Sequence, residues 1–365
     1  MQMNETKSTA GVVRGLLLLP VWLYLFLFSI DLLGTSMKMF GQGFAETLIA
    51  GTSNPFVGLF IGILATSVIQ SSSTTTSIVV GLVGGNAITL ANAIPIIMGA
   101  NIGTSVTNTL VSLANVNRSV EFRRSFAASV VHDFFNFLAV IVLFPLQYFT
   151  NFLGTGADFL SGIFQDVGGL KLFNPIKAAT KPLVETVAGF VGDHPWILLI
   201  IAFICLFLAL KQLVDLLRRL VITKAEAWFD KVLFRNGASA FIVGLILTLL
   251  AQSSSVTTSL LIPLAGAGIL TLRQIFPFTL GANIGTTVTA ILASLVTGNI
   301  HAVSAAFAHL LFNIAGILIW WPLSWLPLHL ADWWAGLAVK KRGLPLIYIL
   351  VMFFLMPLTL IFILQ

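Results

Sequence analysis

The sequence is short of cysteine and of charge, and each shortage excludes a class of protein. Cys205 is the single cysteine among 365 residues, so the chain cannot form an internal disulfide. Lys, Arg, Asp and Glu make up 9% of the residues, whereas soluble domains carry roughly 25%. No closely spaced set of Cys, His and carboxylate residues is present, so a zinc centre is not expected. A disulfide-rich secreted domain, an ordinary soluble domain and a zinc enzyme are all excluded.

The sequence is rich in hydrophobic residues. Hydrophobic residues make up 58% of the chain, and the mean hydropathy is +1.01. Several apolar runs reach the roughly 20 residues that a membrane-spanning helix needs. We therefore predict an all-α polytopic membrane protein surrounded by a lipid bilayer. The net charge of +6 fits basic cytoplasmic loops, so we predict no nucleic-acid partner.

A polar run inside apolar sequence occurs twice. Gln70–Ser77 reads QSSSTTTS, and Gln252–Ser259 reads QSSSVTTS. Without a gap, residues 63–113 aligned with residues 245–295 give 24 identities in 51 positions, so the chain contains an internal duplication. The segment GANIGT also returns at the same distance from each run, at Gly99–Thr104 and Gly281–Thr286.

Hydroxyls at membrane depth must find hydrogen-bond partners, because unpaired polar groups are costly in hydrocarbon. Each polar run separates two apolar stretches too short to cross a membrane, which predicts helical hairpins over about residues 55–85 and 238–268. Each GANIGT segment, with Gly at both ends, predicts a transmembrane helix that unwinds locally. The exposed carbonyls of those breaks, with the neighbouring Gln and Asn, would be hard oxygen ligands suited to Na⁺.

The basic clusters orient the chain if they are placed in the cytoplasm: Arg118–Arg124, Arg218–Arg235 and Lys340–Arg342. The two hairpins then enter from opposite sides, which predicts inverted repeats in a cell membrane with a cytoplasmic amino terminus. The predicted organisation is a tail at 1–14, repeat one at 15–150, an external linker at 151–195, repeat two at 196–330, and an interfacial segment with a final span at 331–365.

The polar runs suit a compact oxyanion. Serine and threonine hydroxyls donate and accept hydrogen bonds, and helices that begin in the runs present free N–H groups and a partial positive charge. The alternative is packing, since Ser and Thr also join transmembrane helices. Duplication favours a binding site over packing.

Asp133 is the only acidic residue in the predicted span Phe126–Phe149, and its counterpart in the second copy is Leu310. An intramembrane carboxylate is a functional candidate, although it could instead be a structural partner of His132 or an arginine. His132 and His309 each precede an Asn by four residues, which allows packing hydrogen bonds or ligation. An intramembrane Ser hydrolase and an anion channel or scaffold subunit remain alternatives.

These motifs resemble the type II sodium-dependent phosphate cotransporter family, in a bacterial-type member. The matching residues are Gln70–Ser73, Pro95–Thr104, Glu121–Arg124, His132–Asn136, Gln252–Ser255 and Gly281–Thr286. The resemblance implies sodium-driven uptake of inorganic phosphate by alternating access, in a dimer of independently working protomers. It also implies electrogenic transport, because of the acid at Asp133. The family has Asp-Arg-Ser in this basic loop, and here Asn117-Arg118-Ser119 stands near that place with a spacing to Glu121 that differs by one, which is a departure near an implied sodium site.

Within that resemblance we assign ligands to both solutes, and we predict Na⁺ as the co-transported ion with no organic cofactor. The expected phosphate ligands are Ser71, Ser72, Ser73, Ser253, Ser254, Ser255, Asn101 and Asn283. The expected sodium ligands are Gln70, Gln252, Thr104, Thr286, Asp133, Asn136, Thr75 and Thr257. No catalytic residue is expected, because the chain is predicted to be a transporter and not an enzyme.

Overall fold

A computed structural model describes the backbone of residues 2–104, 106–232 and 236–365. Its side chains are described for residues 17–104, 106–169, 177–213, 216 and 236–365. Within these ranges every regular element is helical. The helices of the first half are α1 Gln2–Phe40, α2 Gln42–Gly51, α3 Pro55–Ile69, α4 Ser72–Gly84, α5 Leu90–Gly103, α6 Val106–Ser112, α7 Ser119–Thr150, α8 Phe152–Asp166 and α9 Gly169–Val191.

The second half continues the same architecture. Its helices are α10 Pro195–Val232, α11 Gly237–Ala251, α12 Ser254–Ser259, α13 Leu261–Gly266, α14 Leu272–Thr297, α15 Ile300–Trp320, α16 Trp325–Lys340, α17 Leu344–Leu350 and α18 Met356–Leu364. A 3₁₀ turn at Leu113–Asn115 follows α6, and a π turn at Val351–Leu355 joins α17 to α18.

Seven helical stretches of the described chain are long and apolar enough to cross a membrane. They are Leu17–Phe40, Leu90–Asn115, Ser119–Thr150, Pro195–Leu213, Leu272–Thr297, Ile300–Trp320 and Leu344–Leu364. The pair α2 and α3, bent by 95° at its break, would make an eighth. The predicted all-α, multi-pass membrane class is confirmed at this level.

Large apolar side chains also lie on the outside of the helices. Phe149 is 81% exposed, Phe190 89% and Phe362 74%. Soluble proteins rarely leave large apolar patches in water, whereas a lipid-facing surface needs such side chains. The exposed apolar side chains therefore fit a bilayer.

The first helix is longer than predicted. We expected a span from about Gly15 to Leu33, followed by a polar segment, but α1 runs from Gln2 to Phe40. Gly34 lies beside Gly85, the residue that caps α4, where an added Cβ would come within 3.0 Å of the Gly34 carbonyl oxygen, so a small residue lets α1 and the end of α4 approach closely. Asp31, which the expected span already included, lies in the candidate span Leu17–Phe40, so Asp133 is not the only acidic residue of the candidate spans.

The other irregular segments are helical as well. The basic cluster Arg218–Arg235 was expected to be a loop, but the backbone of α10 is helical to Val232. Its side chains from 217 to 235, like those of the predicted tail 1–14, lie outside the described residues. The predicted linker 151–195 forms α8 and α9, and α9 packs against both α1 and α14.

The helix interruptions in the two polar runs lie where the sequence predicts them. Helix α3 ends at Ile69 and α4 begins at Ser72, while α11 ends at Ala251 and α12 begins at Ser254. The second copy is interrupted again after Ser259, because Pro263 cannot donate the backbone hydrogen bond that would continue α12 into α13.

The predicted unwinding at Gly281–Thr286 is wrong, because α14 is an uninterrupted helix from Leu272 to Thr297. In the first copy the helix α5 is regular through Gly99 but ends at Gly103, and α6 begins at Val106, so an interruption lies at the end of the predicted segment there. The glycines serve close packing instead. A Cβ on Gly99 would overlap the carbonyl oxygen of Leu59 in α3, and a Cβ on Gly281 would overlap that of Phe241 in α11.

Each GANIG segment is therefore a GxxxG packing motif. It lets α5 press against α3 and lets α14 press against α11, so that backbone approaches backbone. Contacts also join the two halves, since α4 packs against α14 and α15, and α12 packs against α6. The first residues of α4 and α12, which follow the interruptions, are buried.

Candidate functional site

The two interruptions have the same backbone geometry. Gln70 and Gln252 adopt left-handed conformations, with φ values of 59° and 52°. Ser71 and Ser253 follow in extended conformations, and each caps its own helix. The Ser71 Oγ accepts a hydrogen bond from the Thr74 amide at 3.2 Å, and the Ser253 Oγ accepts one from the Val256 amide at 3.3 Å. Positive φ is unfavourable for residues other than Gly, so its use at both breaks marks a constrained element.

The side-chain oxygen of each glutamine accepts a hydrogen bond from a neighbouring helix of its own half. The Thr107 hydroxyl donates to Gln70 Oε1 at 3.3 Å, and the Thr289 hydroxyl donates to Gln252 Oε1 at 2.6 Å. Thr107 and Thr289 are also 182 residues apart, like the glutamines themselves. These threonines were not among the predicted ligands, although their identity in the two copies was a usable signal.

Helix α6 contacts both copies of the polar run. Its Thr107 contacts Gln70 of the first break, and the next residue, Asn108, contacts the second copy. The Asn108 Nδ2 donates to the Thr258 hydroxyl at 2.9 Å. Consecutive Cα atoms lie about 3.8 Å apart, so the first break and the helix α12 that follows the second break both attach to one turn of α6.

A further bond joins the second break to the first GANIGT segment. The Ser255 hydroxyl donates to the Thr104 carbonyl oxygen at 3.1 Å. Two predicted site residues from different halves are thus in direct contact.

Four serines of the runs are buried and have hydroxyls without a hydrogen-bond partner among the described residues: Ser77 in the second turn of α4, and three at the starts of α4 and α12. Ser72, Ser73 and Ser254 are 4%, 2% and 3% exposed, and their hydroxyls make no hydrogen bond to the described residues. Buried polar groups are normally paired. The three unused hydroxyls at the helix starts, beside the first free amides of α4 and α12, leave donors for a solute.

The predicted threonine ligands mostly bond to their own helices. Thr75 and Thr257 donate to the carbonyl oxygens of Ser71 and Ser253 at 3.1 and 2.8 Å. Thr104 and Thr286 donate to the carbonyl oxygens four residues earlier, at 3.1 and 3.0 Å. Each hydroxyl oxygen still has acceptor capacity for a cation.

The predicted asparagines form one buried chain with the two histidines. His132 Nε2 lies 2.6 Å from Asn283 Oδ1, and Asn283 Nδ2 donates to Asn136 Oδ1 at 3.1 Å. Asn136 Nδ2 then donates to the Asn101 carbonyl oxygen at 2.8 Å, and His309 Nε2 lies 3.4 Å from Asn101 Oδ1. The chain connects α5, α7, α14 and α15, so these groups fix the arrangement of the two halves.

Asp133 does not belong to that chain. Its Oδ2 accepts a hydrogen bond from the Tyr348 hydroxyl at 2.9 Å, and Tyr348 lies on α17. His132 and Asp133 thus bond to groups on different helices, and neither contacts a serine hydroxyl of the described residues. The geometry of a Ser-His-Asp triad is absent there, so nothing favours the hydrolase alternative.

Among the described residues, no group of three or more His, Cys, Asp and Glu could hold a metal ion. Any cation at these breaks would therefore be held mainly by neutral oxygens. Such oxygens suit a hard alkali cation bound weakly enough to be released.

The family model and the relatives that match this chain all describe sodium-dependent phosphate transport proteins. Residues 25–181 and 205–348 match the family model described as Na+/Pi-cotransporter. The chain is 34% identical over 450 positions to sodium-dependent phosphate transport protein 2B of Homo sapiens, covering 96% of this chain and 65% of that protein. It is also 34% identical over 438 positions to sodium-dependent phosphate transport protein 2A of Rattus norvegicus, covering 96% and 68%. The chain thus spans about two thirds of the length of these relatives. No solved structure matches it.

Proposed function

Because the chain belongs to the Na+/Pi-cotransporter family, we propose that it carries inorganic phosphate across a membrane together with Na⁺. The relatives named above are sodium-dependent phosphate transport proteins. The interior of this chain has donors for an oxyanion and neutral oxygens for a cation. The predicted resemblance to this family is confirmed by the family match.

Phosphate binds, in this proposal, between the two interruptions. The observation that carries it is the attachment of the first break and of α12, the helix that follows the second break, to consecutive residues of α6, Thr107 and Asn108. The N-terminal amides of α4 and α12 then face a shared space, with the unused hydroxyls of Ser72, Ser73 and Ser254 beside them. Helix N-termini and hydroxyls together make a site for a compact anion. The capping serines, Ser71 and Ser253, hold the geometry of the breaks.

Sodium supplies the charge that the protein lacks. None of the hydrogen bonds around the two breaks or in the Asn and His chain involves a Lys or Arg of the described residues. A phosphate dianion there needs compensation beyond hydroxyls and helix dipoles, and bound Na⁺ provides it. Binding of anion and cation then favours each other, and the coupling is reciprocal. The expected cation ligands are Gln70, Gln252, Thr75, Thr257, Thr104, Thr286, Asn136 and Asp133.

The two halves work as inverted repeats by alternating access. This rests on the duplicated sequence, the equal geometry of the breaks and the basic clusters that place the amino terminus in the cytoplasm. α3–α4 and α11–α13 would then be re-entrant hairpins from opposite sides. Pairing of protomers follows only from the family resemblance.

The transport cycle is electrogenic in this proposal, because Asp133 adds one more sodium to each phosphate. Each net charge moved gains about 2.3 kcal/mol per 100 mV. We predict that Asp133→Gly keeps sodium-driven uptake but abolishes the phosphate-induced current. Voltage-clamp recording on proteoliposomes fused to a planar bilayer measures that current, and an undiminished current in the variant contradicts the assignment.

Uptake of radiolabelled phosphate into proteoliposomes tests the function itself. An inward Na⁺ gradient should drive accumulation, and replacing Na⁺ by choline should stop it. Phosphate accumulation that does not depend on the Na⁺ gradient would refute cotransport. Rapid equilibration of labelled phosphate in either direction would indicate a channel.

A further inference from the structure

Asp133 is held on one side only. Its Oδ2 accepts the Tyr348 hydroxyl at 2.9 Å, while its buried Oδ1 has no hydrogen-bond partner in the described part of the chain. Asp133 is 0% exposed and Tyr348 is 8% exposed. The ion pairs of the described side chains join other residues, such as Arg123 with Asp332. A buried carboxylate with one neutral donor is left with an oxygen open to a cation.

The final span fixes the position of the Tyr348 hydroxyl. The π turn Val351–Leu355 begins three residues after Tyr348, and π turns close hydrogen bonds between residues five apart. Phe353, five residues after Tyr348, lies with its ring 6.2 Å from that of Phe137 on α7. Phe137 is one helical turn after Asp133. Two side-chain contacts, at residues five apart on the final span and four apart on α7, thus join these two elements.

We infer that Tyr348 completes the cation site at Asp133, as a positioning residue that leaves Oδ1 open and as a further oxygen ligand for Na⁺. A phenol oxygen can donate its proton to Asp133 and still accept with its lone pairs. This inference rests on the proposed function, because it names the partner through which Asp133 binds the additional sodium. Leu310 stands at the equivalent position of the second half, so the site exists once.

The same span packs against α3, the helix that ends at the first break. Helix α18 packs against α3, and the Asn54 Nδ2 donates to the Leu364 carbonyl oxygen at 3.2 Å. Helix α3 leads directly to Gln70. A cation bound at Asp133 and Tyr348 therefore touches an element that packs on the first hairpin, which gives a physical route from this site to the phosphate site.

Tyr348→Phe tests the inference while retaining the ring and its contact with Trp334 at 5.6 Å. The Na⁺ concentration that gives half-maximal phosphate uptake should rise by about tenfold, the effect of losing one hydrogen bond to a charged group. The maximal rate at saturating Na⁺ should be retained, and the charge moved per phosphate should fall at low Na⁺. Tyr24→Phe is the matched control, because it loses a hydroxyl bond to the Ala179 carbonyl oxygen far along the chain from Asp133; it should leave all three quantities unchanged.

Asp133→Asn extends the test should the tyrosine variant fold poorly. It should raise the half-maximal Na⁺ concentration by itself, and adding Tyr348→Phe to it should change nothing more. Unchanged sodium dependence in Asp133→Asn, or in a folded Tyr348→Phe, overturns the inference, as does full additivity of the two substitutions. Wild-type uptake that needs no Na⁺ would overturn the proposed function and this inference together. Sodium-dependent wild-type uptake with an unaltered Tyr348→Phe would overturn the inference alone.

Discussion

The two halves of the chain share a backbone device but differ in the polar groups around it. Both have a left-handed Gln, a capping Ser and a Gln–Thr hydrogen bond at 182-residue spacing. Only the first half has Asn108 and Asp133, whose counterparts are Ala290 and Leu310. The shared device is what a central anion site built from both halves requires. In the proposed function these differences give the halves unequal tasks: Asn108 bridges them, and Asp133 holds the additional cation.

The largest expected effect tests whether both halves contribute to one anion site. Replacing Ser72, Ser73 and Ser254 together by Ala removes three buried hydroxyls that bond to nothing else among the described residues. A hydrogen bond to a charged group contributes about 1.5–3 kcal/mol, so phosphate affinity should fall by at least about a thousandfold. Uptake as a function of phosphate concentration measures the loss.

Ser259→Ala is the control for that experiment. It lies in the same polar run, but its hydroxyl donates to the Val256 carbonyl oxygen of its own helix at 2.8 Å. Its uptake should stay close to that of the wild type. A triple variant that also behaves like the wild type would show that the runs only pack helices.

The glycines test whether the two helix crossings are equivalent. Gly99→Ala and Gly281→Ala each place a Cβ against a carbonyl oxygen of the neighbouring helix. Backbone cannot move aside cheaply, so each substitution should destabilise the fold by about 1–3 kcal/mol or more. Thermal unfolding in detergent should show equal losses for both.

Gly336→Ala provides the contrast, because a Cβ there meets no atom within 4 Å. In the middle of α16 it should raise stability slightly, by roughly 0.5–1 kcal/mol, since Ala favours the helix. Unequal losses for Gly99→Ala and Gly281→Ala would mean that the crossings are not equivalent.

The glycines also show where sequence reasoning stops. The helix interruptions could be predicted from the polar runs for two reasons. Hydroxyls at membrane depth need hydrogen-bond partners, and the run occurs twice. The conformation of GANIG could not be predicted in the same way, because glycine is found both where a helix breaks and where two helices pack closely. The two cases differ only in whether a neighbouring helix lies against the glycines. The Asp133–Tyr348 pair joins residues 215 apart with no counterpart in the second copy, so the duplication carried no signal for it.

A smaller effect is expected where the halves differ in their bridge. The Thr258 hydroxyl bonds to Asn108 of the other half, whereas its counterpart Thr76 donates only to carbonyl oxygens of its own helix. Thr258→Val leaves a buried Asn without its partner, which costs about 1–3 kcal/mol. Thr76→Val should cost much less. Half-maximal phosphate concentration and melting temperature would both report the difference, and equal effects would remove Asn108 as a bridge.

The smallest expected effect compares the two Gln–Thr bonds. The Thr289 bond to Gln252 is 2.6 Å long, whereas the Thr107 bond to Gln70 is 3.3 Å long and lies in a more exposed place. Removing a shorter and more buried hydrogen bond costs more free energy. Thr289→Val should therefore cost about 1 kcal/mol, and Thr107→Val should cost less. Because the glutamines hold the left-handed turns that aim α4 and α12, the loss should appear as weaker phosphate binding at unchanged maximal rate. A larger loss of phosphate affinity in Thr107→Val would mean that the bond at the first break matters more for binding. The two turns would then be equivalent in their backbone angles only.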